Sequence, residues 1–151
     1  MEDARLMNLG LLRRFKLVFV VLSWATSLAA VTLFMIFNGQ LLPRGLGGLI
    51  VNPSPLWLGT FYMGNFAICA LASMVIEDIP KALVSFFASY LGAALITAMV
   101  LALPDLLGVF SLSGALQQAA VIFTFEAFFP IPLLVNFAGL ITGLYLAERL
   151  S

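Results

Sequence analysis

The sequence predicts an all-α integral membrane protein with four transmembrane helices in an up-down arrangement. Three observations predict this class: 63% of the 151 residues are hydrophobic, only 9% are charged, and four apolar stretches are each long enough to cross a bilayer. Soluble domains carry about 45–50% apolar and about 25% charged residues. The composition therefore excludes a soluble enzyme, a disordered chain and a basic nucleic-acid-binding protein.

The predicted spans follow from the length of each apolar stretch. A helix needs about 20 mainly apolar residues to cross about 30 Å of hydrocarbon. The stretches that meet this requirement are residues 15–37, 56–76, 82–103 and 115–147. No repeat, linker or change of composition divides the chain, so we expect residues 1–151 to form a single four-helix transmembrane domain.

The fourth stretch is longer than one perpendicular crossing requires, and it contains Pro130 and Pro132. Each proline removes a backbone donor and clashes with the preceding turn, which predicts a kink or break near residues 128–132. Two interpretations follow. The favoured one is a single long helix, tilted and kinked at the two prolines, because extra length is usually absorbed in this way. The other is a re-entrant segment over 115–129 followed by a short span over 131–147.

The few basic residues indicate the orientation of the spans. Six of the seven fall on one side of a four-span arrangement, and Arg44 alone falls on the other; the six are Arg5, Arg13, Arg14, Lys16, Lys81 and Arg149. The positive-inside rule then predicts a multi-pass protein of the cell membrane with both termini in the cytoplasm. The short connection before Lys81 also predicts that the second and third spans pack as an antiparallel hairpin.

Glu126 is the most informative polar residue, because it lies well inside the fourth apolar stretch. An ionised carboxylate at the centre of a bilayer costs about 2.5–3.5 kcal/mol. We interpret Glu126, together with Thr124, Asn136 and Asn65, as a candidate ion or proton site beside the proline break, where freed carbonyls could add oxygen ligands. The alternative interpretation is a neutral glutamic acid that hydrogen-bonds a neighbouring helix.

Small residues at regular spacing predict close helix packing. Gly139 and Gly143 form a GxxxG motif, and Ser85, Ser89 and Gly92 give the third span a comparable row of small side chains. Such spacing lets two helix backbones approach each other closely. We expect these residues to pack helices within the bundle or to contact another subunit.

The absence of some residue types narrows the chemistry. The sequence has no histidine and a single cysteine, Cys69. Histidine-containing zinc and haem sites, histidine general-base catalysis and an intrachain disulfide are therefore excluded. Cys69 lies in an apolar run and is interpreted as a small packing residue. We expect no catalytic residues, no metal and no cofactor.

These observations leave two hypotheses for the function. The first is a multi-pass membrane subunit without catalytic activity, which packs against other membrane proteins in a larger complex. Its partners are the lipid bilayer and other membrane protein subunits or copies of itself, not nucleic acid. The second is a small homo-oligomeric ion- or proton-coupled transporter or channel that uses Glu126 and the kinked fourth helix. The scarcity of polar groups favours the first.

Overall fold

The computed structural model describes residues 2–41, 55–76, 78–108 and 115–150. Within these ranges the chain is helical and contains no strand. The helices are α1 (Glu2–Phe37), α2 (Pro55–Met74), α3 (Ile79–Leu106), α4 (Ala115–Phe128) and α5 (Ile131–Leu150). Among the residues that the structure describes, four helical segments are long and apolar enough to cross a membrane: Phe15–Phe37, Pro55–Met74, Ile79–Leu106 and Ile131–Leu150. Among the described residues, the predicted all-α class and the presence of four apolar helices of membrane length are therefore confirmed, whereas the bounds of the fourth differ from the predicted 115–147.

The stretch predicted as one long fourth helix forms two helices, α4 and α5, separated by Phe129 and Pro130. The break follows from proline chemistry. Pro130 and Pro132 have no amide hydrogen, so the carbonyls of Glu126 and Phe128 lose the donors that a continuous helix would provide. The 14 residues of α4 extend about 21 Å at 1.5 Å per residue, less than the hydrocarbon thickness. The fourth candidate span is therefore α5, and the favoured single helix is corrected to a short helix followed by a full-length one.

Glycines bring α2 and α5 into backbone contact. Gly139 and Gly143 are both buried on α5. A Cβ atom at Gly139 would lie 2.6 Å from the Phe66 carbonyl oxygen, and one at Gly143 would overlap the Ala70 carbonyl oxygen. The two helices can approach this closely only because both positions lack a side chain.

The second close helix pair is α1 with α3. The Ser89 hydroxyl donates a hydrogen bond of 3.1 Å to the Val21 carbonyl oxygen, and a Cβ atom at Gly92 would meet the Ala25 Cβ at 3.4 Å, an ordinary contact. Ser85 is also buried on this helix. The predicted hairpin of the second and third spans is not the main packing, because α2 contacts α5 most extensively and α3 contacts α1.

Candidate functional site

Four polar side chains and one backbone carbonyl, each from a different helix, form two sets of hydrogen bonds in the interior of the bundle. They are Trp24 of α1, Cys69 of α2, Tyr90 of α3 and Asn136 of α5, and the carbonyl belongs to Phe128 of α4; we call this group the polar cluster. Each of the four side chains is at most 2% exposed. Buried polar groups of this kind must find partners within the protein, because lipid offers none.

A continuous series of hydrogen bonds joins α1, α2 and α5 within the polar cluster. The Trp24 indole N–H donates to Cys69 Sγ at 3.3 Å, and the Cys69 thiol donates to Asn136 Oδ1 at 3.0 Å. The Asn136 amide then donates to the Pro132 carbonyl oxygen at 2.8 Å. Cys69 packs in the interior as the sequence predicted, but it also acts as acceptor and donor between two helices.

Tyr90 donates a hydrogen bond to a backbone carbonyl at the end of α4. Its hydroxyl donates a hydrogen bond to the Phe128 carbonyl oxygen, which in a continuous helix would accept from the residue at position 132. Because Pro132 has no N–H, the phenol supplies the donor that the chain lacks. An unsatisfied carbonyl in an apolar interior costs about 1–3 kcal/mol. The Tyr90 hydrogen bond therefore lowers the free-energy cost of the break between α4 and α5 inside the bundle.

Aromatic rings hold the Tyr90 phenol in place. Its ring stacks on Phe86 with centroids 5.5 Å apart and meets Phe128 edge-on at 5.3 Å and Phe129 at 6.0 Å. Offset-stacked and edge-to-face arrangements at these distances are the favourable ones for aromatic pairs. The phenol is thus fixed from α3 and from the end of α4 at the same time.

The polar cluster consists of side chains that donate and accept hydrogen bonds. It consists of an indole, a thiol, a phenol and an amide, and the described part of the chain contains no group of three or more His, Cys, Asp or Glu side chains that could hold a metal ion. No carboxylate or imidazole within the cluster can act as a general base towards the thiol or the phenol. Its hydrogen bonds join α1, α2 and α5 in one series and α3 to α4 in a second, separate contact.

The four residues predicted to form an ion or proton site do not share one environment. Asn136 belongs to the polar cluster, Asn65 is buried on α2, and Thr124 is buried on α4, whereas the Glu126 side chain is exposed. Positions 124 and 126 differ by about 200° around a helix, so one faces inward and the other outward. Among the described residues, the Thr124 hydroxyl oxygen has no hydrogen-bond partner.

The exposed side of α4 is polar at both ends, and we call it the outer face of α4. It comprises two regular rows of exposed residues, Gln117, Val121 and Phe125 in one and Gln118, Ile122 and Glu126 in the other. The exposed side chains of α3 between residues 84 and 103 are all apolar: Val84, Phe87, Ala88, Leu91, Leu95, Met99, Val100 and Leu103. The exposed side of α3 in this range is uniformly apolar, whereas the outer face of α4 also carries two amides and a carboxylate.

Sequence reasoning missed Trp24 and Tyr90 as members of the site. The available signal was their position: both lie inside predicted spans, away from the membrane interfaces where Trp and Tyr are usually enriched. An aromatic ring with a polar atom at that depth needs a buried partner. By contrast, Trp57 and Tyr145 lie near helix ends, are 41% and 52% exposed, and fit the interface.

The fold and the site together define an all-helical protein with four apolar helices that indicate a membrane-embedded chain. No protein-family model matches the chain, and no curated protein or solved structure matches it either. Any function must therefore be inferred from the residues themselves.

Proposed function

We propose that this chain is a non-catalytic, multi-pass subunit of a larger membrane complex and that it acts by packing against other membrane proteins. The observation that carries the proposal is the outer face of α4, where Gln117, Gln118 and Glu126 are exposed. The side chains of the polar cluster are buried and bond to other helices, whereas the polar side chains on the outer face of α4 lie where another membrane protein can contact them.

The order of contacts along the helices supports the up-down arrangement. Gly139 faces Phe66, and Gly143 faces Ala70, so α5 runs in the same direction as α2. In the second helix pair, Ser89 bonds to Val21 and Gly92 meets Ala25, so α3 runs in the same direction as α1. The connection from α2 to α3 is short, which reverses the direction between the two pairs.

This arrangement brings the N-terminus and the C-terminus to the same side of the membrane. Lys16 lies at the beginning of the apolar part of α1, Lys81 lies in the first turn of α3, and Arg149 lies in the last turn of α5. All three fall on that side, as do the basic residues that precede Lys16. By the positive-inside rule we propose that both termini are cytoplasmic and that the membrane is the cell membrane.

One observation favours the second candidate function, a small homo-oligomeric ion- or proton-coupled carrier. The Thr124 hydroxyl oxygen is buried beside the helix break without a hydrogen-bond partner among the described residues, and a carrier could place a water molecule or an ion there. The exposure of Glu126 counts against this candidate, because it separates the acid from the buried Thr124.

Native mass spectrometry of the protein extracted in mild detergent from its own membranes tests the proposal. A subunit gives a heteromeric particle of fixed stoichiometry that contains at least one other membrane protein. A monomer, or a pure homodimer or homotetramer, overturns the proposal. In the latter case, pH-dependent ion flux into liposomes that is abolished by Glu126→Gln establishes the carrier instead.

A further inference from the structure

Thr124 places a polar group in the interior of the bundle that no described residue hydrogen-bonds. The residue is 8% exposed, and its hydroxyl oxygen has no partner among the described residues. Burying a hydroxyl without a compensating hydrogen bond is unfavourable, and buried groups of this kind commonly bind an ordered water molecule. Whether a water can be held here depends on what the neighbouring helix presents opposite Thr124.

The helix that faces Thr124 is α3, and it runs antiparallel to α4. α4 packs mainly against α3, and the Tyr90 hydroxyl contacts the Phe128 carbonyl oxygen. From this contact α3 extends about 24 Å to its end at Leu106, and α4 extends back about 20 Å to its beginning at Ala115. Parallel helices would place these two ends about 44 Å apart, whereas the chain between them spans at most roughly 32 Å. The two helices are therefore antiparallel.

Thr97 is the polar residue of α3 that lies opposite Thr124. Positions 90 and 97 differ by about 20° around α3, and positions 124 and 128 differ by about 40° around α4. Thr97 and Thr124 therefore lie on the two faces that Tyr90 and Phe128 bring together. Thr97 lies about 10 Å beyond Tyr90, and Thr124 lies about 6 Å before Phe128, so their depths differ by about 4 Å. Each Cα–Cβ bond tilts towards the N-terminus of its helix, which in antiparallel helices brings the two hydroxyls closer in depth.

The hydrogen-bonding capacities of the two hydroxyls suit a shared water molecule. Thr97 is fully buried, and its hydroxyl donates to the Ala93 carbonyl oxygen at 2.9 Å, so its oxygen can still accept. One water can accept from Thr124 and donate to Thr97 and to a carbonyl of an adjacent turn. One turn away on the same faces lie Ala93 and Ala120, 0% and 3% exposed, whose small side chains occupy little of the space between the helices.

We propose that α3 and α4 share a buried water molecule held between the hydroxyls of Thr97 and Thr124. This bridging water attaches α4 to α3 about 6 Å along the helix from Phe128, so the short helix is bonded to α3 at two levels. It gives the buried Thr124 hydroxyl a partner without a transported ion. The proposal is independent of whether the chain is a subunit of a larger complex.

Thermal unfolding in mild detergent tests whether the Thr124 hydroxyl is bonded. Thr124→Val keeps the shape of the side chain and removes the hydroxyl, and it should lower Tm by roughly 1–6 °C because a hydrogen-bonded group is lost. A hydroxyl without a partner would give the opposite sign, since its removal relieves an unfavourable burial. Thr26→Val is the control and should leave Tm unchanged, because Thr26 is exposed and bonds within its own helix.

A double variant tests whether Thr97 and Thr124 hold the same water. Each single substitution to valine removes the bridging water as well as one hydroxyl. The variant that combines Thr97→Val with Thr124→Val should therefore lower Tm by less than the sum of the two single losses. Thr97→Val combined with Thr26→Val should be additive.

Methyl NMR of threonine-labelled protein in deuterated detergent tests for the water itself. The methyl groups of Thr97 and Thr124 should each show a nuclear Overhauser cross-peak to water. In Thr124→Val the Thr97 cross-peak should disappear although Thr97 keeps its hydroxyl, so exchange of that hydroxyl with solvent cannot be its source. In Thr26→Val the Thr97 cross-peak should remain.

Three results overturn the proposal. They are a higher Tm for Thr124→Val, additive losses in the variant that combines Thr97→Val with Thr124→Val, and a Thr97 cross-peak that is absent from the unsubstituted protein or unaffected by Thr124→Val. None of them changes what native mass spectrometry shows about partners, so the bridging water and the subunit role fail separately.

Discussion

Replacing Gly139 with alanine tests the close approach of α2 and α5. The new Cβ atom would lie 2.6 Å from the Phe66 carbonyl oxygen and 3.0 Å from the Cys69 Cβ, whereas ordinary contacts begin at 3.4 Å. The nearest atom belongs to the backbone and cannot rotate away. The helices must therefore separate by most of an ångström along their contact.

The cost of that separation can be estimated from overpacked cores. Inserting a methyl group into a well-packed contact costs about 1–3 kcal/mol, and the backbone position of the clash favours the upper part of this range. For a chain of this size, 1 kcal/mol corresponds to roughly 2–4 °C in Tm. We expect Gly139→Ala to lower Tm by roughly 4–12 °C. Gly143→Ala should lower it further, since its Cβ would overlap the Ala70 carbonyl oxygen.

The single cysteine provides the assay. Cys69 is fully buried and is the only thiol in the chain, so a thiol-reactive fluorophore in mild detergent reports its exposure as the protein unfolds. Gly64→Ala is the matched control, because a Cβ atom at that position meets no atom within 4 Å. The control should leave stability unchanged or raise it by about 0.5–1 kcal/mol. Equal Tm values for Gly139→Ala and Gly64→Ala would refute the close contact.

Three further substitutions test the contacts around the polar cluster and at the beginning of α3, each measured with the same thermal assay. Tyr90→Phe removes the donor of the Phe128 carbonyl and should cost about 1–3 kcal/mol; an unchanged Tm would show that this carbonyl has another donor. Asn136→Leu removes one buried bond between α2 and α5 and one within α5 and should cost about 1–2 kcal/mol, the upper range for an interhelical bond in a membrane; a more stable variant would contradict its role in cohesion. Lys81→Ala breaks the 2.6 Å ion pair with Asp78 and should cost less than about 1 kcal/mol, because both side chains are largely exposed to solvent; a large loss would contradict their surface position.

The sequence was sufficient to predict the class and the positions of the helices. A stretch of about 20 apolar residues is a pattern that single substitutions do not obscure, and the first three predicted spans overlap the apolar parts of α1, α2 and α3 closely. The break at Pro130 could also be predicted, because a missing amide hydrogen is a property of the residue itself. Gly139 and Gly143 likewise carry their packing signal in their spacing.

Neither the side of α4 that is buried nor the membership of the polar cluster could be predicted in the same way. In a soluble helix, alternation of apolar and polar residues shows which side is buried, but α4 is apolar around most of its circumference. No pattern in the neighbouring residues indicated that Thr124 faces inward and Glu126 outward. The polar cluster depends on pairs that are distant in sequence, such as Cys69 with Asn136 and Tyr90 with Phe128, and no periodicity encodes those pairs.

Oxygen accessibility of spin labels most directly tests whether protein covers the outer face of α4. A nitroxide is attached at a cysteine replacing Val121 or, for comparison, Leu95, while the buried Cys69 remains unlabelled in the folded chain. In membranes that contain the natural complex, the label at 121 should collide with oxygen several-fold less often than the label at 95. Equal, high accessibility at both positions would mean that lipid surrounds Glu126, and would contradict the account.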